Sequence, residues 1–211
     1  MEDGKHVGFT EIGVGHLHRS VMERINLDAA NVLNTAFTTN SFDGTPFISN
    51  AHPGAGGTTY NNLITGNPAL SQSSVENALT VIMSAKDATG RAVTLNADKL
   101  VVPPALWPNA ATILASAGRT GTANNDNNPI EVYGHLRRDP ALLRRLTSSS
   151  AWFMFTKGGD SHAIVYAERI ALGLDNLPDF DTGSMRHRAR VRYAMVPENP
   201  LGVFGSTGAG A

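Results

Sequence analysis

The chain has 211 residues, 41% of them hydrophobic, and a formal net charge of −1, which suits one domain or two small lobes and excludes a globally basic nucleic-acid binder. It has no cysteine, which excludes disulfides, zinc thiolates and thiol catalysis; no apolar run approaches the ~20 residues of a membrane helix, and MEDGKHVGFTEIG reads as no apolar signal region. Charged residues are only 17%, below the usual quarter, which favours slightly a surface that meets other protein.

The first periodic segment is VGHLHRSVMERINLDAANVLNTAF. Val14, Leu17, Val21, Ile25, Val32, Leu33 and Ala36 recur at three- and four-residue steps, which predicts a helix over 14–37, on the order of 30 Å long, with a narrow apolar stripe and one face in solvent. Residues 40–70 carry the turn signals Asp43-Gly44, His52-Pro53, Gly56-Gly57 and Asn67-Pro68 around a short strand near 46–49. A loop of that length is functional or packs on something outside the domain. Ser73-x-x-Glu76 matches a capping box and opens a helix whose apolar face is Val75, Ala78, Leu79, Ile82 and Met83, stopped by Gly90. KLVVPPALWPNAATILAS predicts a buried strand at 99–102, a proline hinge and a helix over about 105–116, with Pro104 in its first turn.

Residues 117–131, AGRTGTANNDNNPIE, read as a polar loop. A short strand at 130–134, a short helix at 140–146, the aromatic strand AWFMFTK and a strand over 162–170 follow. The stretch 179–196, DFDTGSMRHRARVRYAMV, supplies the last long strand, and the Gly-rich tail is irregular. Helices cluster in the middle and strands towards the end, an α+β pattern.

Few residues offer chemistry. His16 and His18 lie two apart on a helix, about 200° around it, so they point to opposite sides and cannot share a metal. His52 lacks a P-loop's lysine and hydroxyl and reads as a histidine that fixes a tight turn through a side-chain bond. NNDNNP at 124–129 has one carboxylate, too few for a calcium loop. No Ser/His/Asp set or carboxylate pair stands out, so no catalytic residue, cofactor or metal is assigned. Trp152, Phe153 and Phe155 read as core. The arginines differ. Arg186, Arg188, Arg190 and Arg192 recur at every second position, so in a strand all four share one face, with His187, Ala189, Val191 and Tyr193 on the half-buried other. A solvated face does not need four arginines and no lysine. Arginine suits bidentate pairing with carboxylate or phosphate, so the partner is either acids of a neighbouring copy or nucleic acid.

The order and spacing of several segments carry a resemblance: AANVLNTAF, DGTPFISNAHPGAGGTTYNNL, ALSQSSVENAL, LVVPPALWPNAATIL, GTANNDNNPI, AWFMFT and DFDTGSMRHRARVRYAMVPENPLGVFGSTG. Together they resemble the major capsid proteins of tailed bacteriophages, in particular the Mu-like prophage major head subunit group, which share the Hong Kong 97-type shell fold. The resemblance implies an α+β fold with a peripheral lobe over 1–60 and 161–211, holding a spine helix at 14–37 and the long C-terminal strands, and an axial lobe over 61–160. It implies a non-enzymatic subunit that assembles with copies of itself as pentamers and hexamers into an icosahedral shell around double-stranded DNA, built in the bacterial cytoplasm and located in the virion, with no membrane partner. Asp175, Asp179 and Asp181 of a neighbour become the expected partners of the arginine row, with packaged DNA as the runner-up. Asn124, Asn125, Asp126 and Asn127 become an axial tip loop. Family members usually carry an N-terminal arm and an extended loop ahead of the spine helix, whereas this chain starts almost at the helix, and the loop lysine of the Lys–Asn cross-link of some relatives has no counterpart. An encapsulin-like compartment on the same fold and a soluble enzyme are the alternatives.

Overall fold

The computed structural model describes residues 4–119, 126–158, 162–178, 181, 183 and 185–209. The chain divides into two compact units, Met1–Ala29 with Tyr166–Val196 and Ala30–Val165 with Pro197–Ala211. In chain order the elements are α1 (Gly4–Asn34), β1 (His52–Pro53), β2 (Thr59–Tyr60), α2 (Gln72–Met83), β3 (Asn96–Val102), α3 (Trp107–Ala115), α4 (Pro129–Tyr133), β4 (Ala141–Leu142), β5 (Trp152–Lys157), β6 (Ile164–Pro178), β7 (Met185–Pro197) and β8 (Val203–Ser206). Both helices and sheets are present, so the class is α+β.

The larger unit is built on a four-stranded sheet in the order β4-β3-β5-β8. β5 is antiparallel to both neighbours, with Met154 opposite Leu100 on one side and Phe204 on the other. Its side chains alternate between two apolar layers. Trp152 and Met154 join Leu100, Val102 and Phe204 beneath α2, α3 and α4, against Val75, Ile82, Ile113 and Ile130. Phe153 faces the other way, with Val101, Val203, Phe47, Ile48, Leu33 and Ala36. A strand covered on both faces reads as a continuous apolar run rather than an alternation, which is why AWFMF carries no period. Each large side chain removed from water here contributes about 1.5–3 kcal/mol.

Several elements depart from the sequence reading. α1 starts at Gly4 and ends at Asn34 instead of spanning 14–37. The end is set by Asn34, whose amide donates to the Arg145 carbonyl at 3.0 Å and accepts from the Thr147 N–H at 2.9 Å. The cap of α2 is Ser71, two residues ahead of the expected Ser73, and its reciprocal partner is Ser74. Around 46–49 the structure has only an isolated bridge from Asn40 to Pro46. Residues 130–134 form α4 instead of a strand: Asn128 caps it, Pro129 occupies its first position, and Gly134 ends it in the left-handed region at φ 70°. Residues 140–146 are not helical, because Ala141 and Leu142 pair in parallel with Val101 and Val102 at the edge of β3. The tail contains the fully buried strand β8 rather than only irregular chain.

The long loop between α1 and α2 is organised by three polar side chains. His52 is fully buried, with Nδ1 2.6 Å from Asp43 Oδ2 and Nε2 3.0 Å from Asn62 Oδ1. Asn62 is also fully buried. Its Nδ2 is directed at the carbonyls of Phe47, Pro200 and Val203 at 2.8, 2.9 and 3.1 Å, which fixes the amide orientation and makes Oδ1 the atom facing His52. Both ring nitrogens of His52 therefore face an acceptor oxygen. Burial pushes the Asp43 carboxyl up, but hydrogen bonds from His52 and Thr45 and the charge of His52 more than offset it and hold its pKa below the ordinary value. His52 thus does tie down a turn through its side chain, and at the centre of a network rather than at the surface.

Candidate assembly interface

All buried hydrophobic side chains among the described residues lie in 30–165 or 197–211, the larger unit. Among its described residues the smaller unit buries none. On α1, Val14, Leu17, Val21 and Ile25 are half-buried between exposed neighbours, so the stripe read from the sequence is present but shallow. β6 and β7, of 15 and 13 residues, form a sheet of two strands, each some 40–50 Å long at the usual rise. His187 contacts Asn176 and Arg188 contacts Asp175, so residue numbers rise on one strand as they fall on the other and the pair is antiparallel. A two-stranded ribbon is marginal by itself in water.

β7 alternates as its sequence demands. Arg186, Arg188, Arg190 and Arg192 are exposed, whereas His187, Ala189, Val191 and Tyr193 are half-buried. Arg188 donates from Nε and Nη2 to the same oxygen of Asp175, at 3.2 and 2.8 Å. With both side chains more than half exposed, such a pair contributes at most about 1 kcal/mol. Among the described residues Arg190 and Arg192 form no ion pair. Asp181 is exposed, and Asp179 lies outside the described residues.

On the opposite face Tyr193 donates from its hydroxyl to Asp28 Oδ2 at 2.6 Å. Arg24 holds both oxygens of the same carboxylate, Nε to Oδ2 and Nη2 to Oδ1, each at 3.1 Å. The hydrogen bond to Asp28, then burial, keep the Tyr193 pKa above its ordinary value, so the phenol remains a donor. Tyr166 lies beside it, ring centroids 5.6 Å apart. The sequence placed Tyr193 on the half-buried face of the strand but gave it no partner, and did not single out Asp28. The signal was there in part, because Arg24 and Asp28 stand four apart, the spacing of helix-surface pairs.

The polar loop ahead of α4 has a defined base. Buried Asn128 donates to the Ile113 and Ser116 carbonyls at 2.9 and 2.8 Å and accepts from the Ile130 N–H at 3.0 Å. The Arg119 N–H donates to the Asp126 carbonyl at 2.7 Å, Gly118 bridges Asn127, and Arg119 pairs with Glu76 at 2.7 Å. Asp126 and Asn127 are exposed at this base; Asn124 and Asn125 lie outside the described residues. His16 and His18 are exposed. Among the described residues no group of three or more His, Asp or Glu could hold a metal ion, and no helix is long and apolar enough to cross a membrane.

In the smaller unit the described side chains of α1, β6 and β7 are exposed or half-buried. A model of the phage capsid protein family matches residues 13–205. The chain belongs to the phage capsid protein family. No curated protein matches the sequence. The capsid protein is therefore a structural protein located in the virion capsid, and the family is not an enzymatic one. Its working parts are surfaces. The arginines of β7 and the stem residues Asp126 and Asn127 are exposed on the surface of this capsid protein.

Proposed function

We propose that this capsid protein is a major head subunit of the Mu-like group, with the Hong Kong 97-type fold, and that copies of it join as pentamers and hexamers into an icosahedral shell around double-stranded DNA. In this reading 1–60 with 161–211 form the peripheral lobe, 61–160 the axial lobe, and the stem at Asp126 and Asn127 carries the axial tip. Assembly takes place in the host cytoplasm.

The observation that carries the proposal is that, among the described residues, every buried hydrophobic side chain lies in the larger unit. A 15-residue and a 13-residue strand with no buried side chain do not offset their own ordering entropy. Coverage by neighbouring copies supplies the missing burial, and repeated head-to-tail contacts of one kind close into rings. The arginine row then lies at subunit boundaries, where desolvation strengthens pairing with carboxylates.

Purified protein viewed by negative-stain microscopy should form closed shells, tubes or rings; uniformly dispersed particles of single-chain size would overturn the proposal. Arg188→Ala and Arg190→Ala should each lower the yield of assembled particles while leaving the circular dichroism of the unassembled chain unchanged. Wild-type yields in both variants would remove the row from the boundary. Where the row instead meets packaged DNA, assembly yields stay normal and DNA retention falls steeply with salt.

A further inference from the structure

The cleft beside β2 is lined by Phe42, Tyr60, His162, Glu198, Asn199 and Pro200 and has a volume of about 570 Å³. All of these residues belong to the larger unit. Two features set it apart. Phe42 is 75% exposed, although Asp43 beside it turns inward to His52. The Glu198 side chain makes no hydrogen bond or ion pair among the described residues, while its backbone N–H donates to the Ala163 carbonyl at 2.9 Å. The cleft therefore offers aromatic rings and an unpartnered carboxylate together.

The walls are held in place by the polar network beneath them. Asp43 anchors the turn that carries Phe42, with Gly44 at φ 79° and its N–H on the Ser41 carbonyl at 3.1 Å. Tyr60 stacks on His52, ring centroids 5.0 Å apart. Asn62 donates to the Pro200 carbonyl at 2.9 Å. Phe42, Tyr60 and Pro200 are thus tied to one buried triad, and a partner entering the cleft pays little to order it.

Aromatic faces with a carboxylate select a cation, and a guanidinium above an ammonium, because it both stacks and pairs in a plane. The chain displays such cations in register. Arg190 and Arg192 are exposed on one face of β7 and have no ion pair among the described residues. We infer that the Phe42–Tyr60–Glu198 cleft receives Arg190 or Arg192 of a second copy of this chain. The inference rests on the self-assembly proposed above and names the acid that the row meets: Glu198, instead of the aspartates around the hairpin turn. Every copy carries both the row and the cleft, so the contact is heterologous and propagates from copy to copy.

The test uses three full-length proteins: wild type, Glu198→Arg, and Arg190→Glu with Arg192→Glu. Sedimentation velocity reads the fraction larger than a single chain, and thermal melts by circular dichroism verify that each is folded. The wild type should assemble. Each variant alone should lose at least tenfold of that fraction, since its cleft and row then carry the same sign. A one-to-one mixture of the two variants should recover it, because the cleft of each then faces a row of opposite charge on the other. Variants that assemble like wild type, or folded variants whose mixture stays dispersed, would overturn the contact and leave self-assembly standing. A wild type that never assembles would overturn both. A pairing within one chain is also excluded by recovery, since mixing cannot repair it.

Discussion

At the scale of single residues, Asn62 does the most. Its two amide ends join the long loop, at Ser49, His52 and Phe47, to the segment leading into β8, at Pro200 and Val203. Replacement by leucine leaves three buried carbonyls, the buried Nε2 of His52 and the part-buried N–H of Ser49 without their partner. At the usual penalty for unsatisfied buried groups, Asn62→Leu should lower unfolding stability by at least about 3 kcal/mol, read by denaturant titration. Asp43 gives a pH signature. Its folded pKa is depressed, despite burial, by hydrogen bonds from His52 and Thr45 and by the His52 charge. The stability it contributes is thus fully present above the ordinary aspartate value of 3.8 and is lost as pH falls through the depressed folded value. Wild type should exceed Asp43→Asn in stability by about 3 kcal/mol at pH 6, the scale for breaking a buried pair. The gap should narrow as pH falls below 3.8 and through the depressed folded value, since protonation of Asp43 removes the same interaction. None of these three residues was legible as a set. His52 read correctly as a turn-fixing histidine, but Asp43 and Asn62 stand nine and ten residues from it, and only the folded loop brings them to one point.

At the scale of elements, legibility followed the origin of the signal. α1, α2, α3 and β7 announce themselves by period, because each keeps one side in solvent. β5 announces itself by its apolar run. The misread pieces are short and take their conformation from a partner. β4 is a strand because β3 offers it an edge, and β8 because β5 does; by local composition they read as a helix and as irregular tail. α4 was legible in principle, with Asn-Pro at its start and Gly at its end, yet its β-branched residues suggested a strand. The entry to β8 makes a sharp prediction. A Cβ built on Gly202 would lie 2.5 Å from the Ala163 nitrogen and 2.6 Å from its Cα, backbone that cannot swing aside. Gly202→Ala should cost about 1–3 kcal/mol, and its melting temperature should drop by roughly 2–4 °C for each of them. An unchanged melt would show that the two segments separate freely.

At the scale of the whole molecule, stability is distributed unevenly. The sheet β4-β3-β5-β8 is covered on both faces, while the ribbon β6–β7 has no buried side chain among its residues from 166 to 196 that are described. Amides with few buried contacts around them open at low free energy. In the unassembled chain, hydrogen exchange of β6 and β7 should be fast and that of β3, β5 and β8 slow. Assembled protein should protect β6 and β7 by a further factor of at least ten. Equal protection of ribbon and sheet in the single chain would mean that the ribbon is stable without neighbours, and would remove the main support for a subunit built to be covered.

The amino-acid sequence by itself determined the α+β class, the helices with a solvent side, the arginine row and its alternation, and the likeness to phage capsid proteins. These depend on period and on order along the chain, which survive without knowledge of any partner. The tertiary structure alone decided the polar triad under the loop, the identities of β4, β8 and α4, the cleft at Glu198, and the confinement of the core to one unit. Those depend on which distant segments share an environment, and burial is a property of neighbours in space, which local composition does not encode.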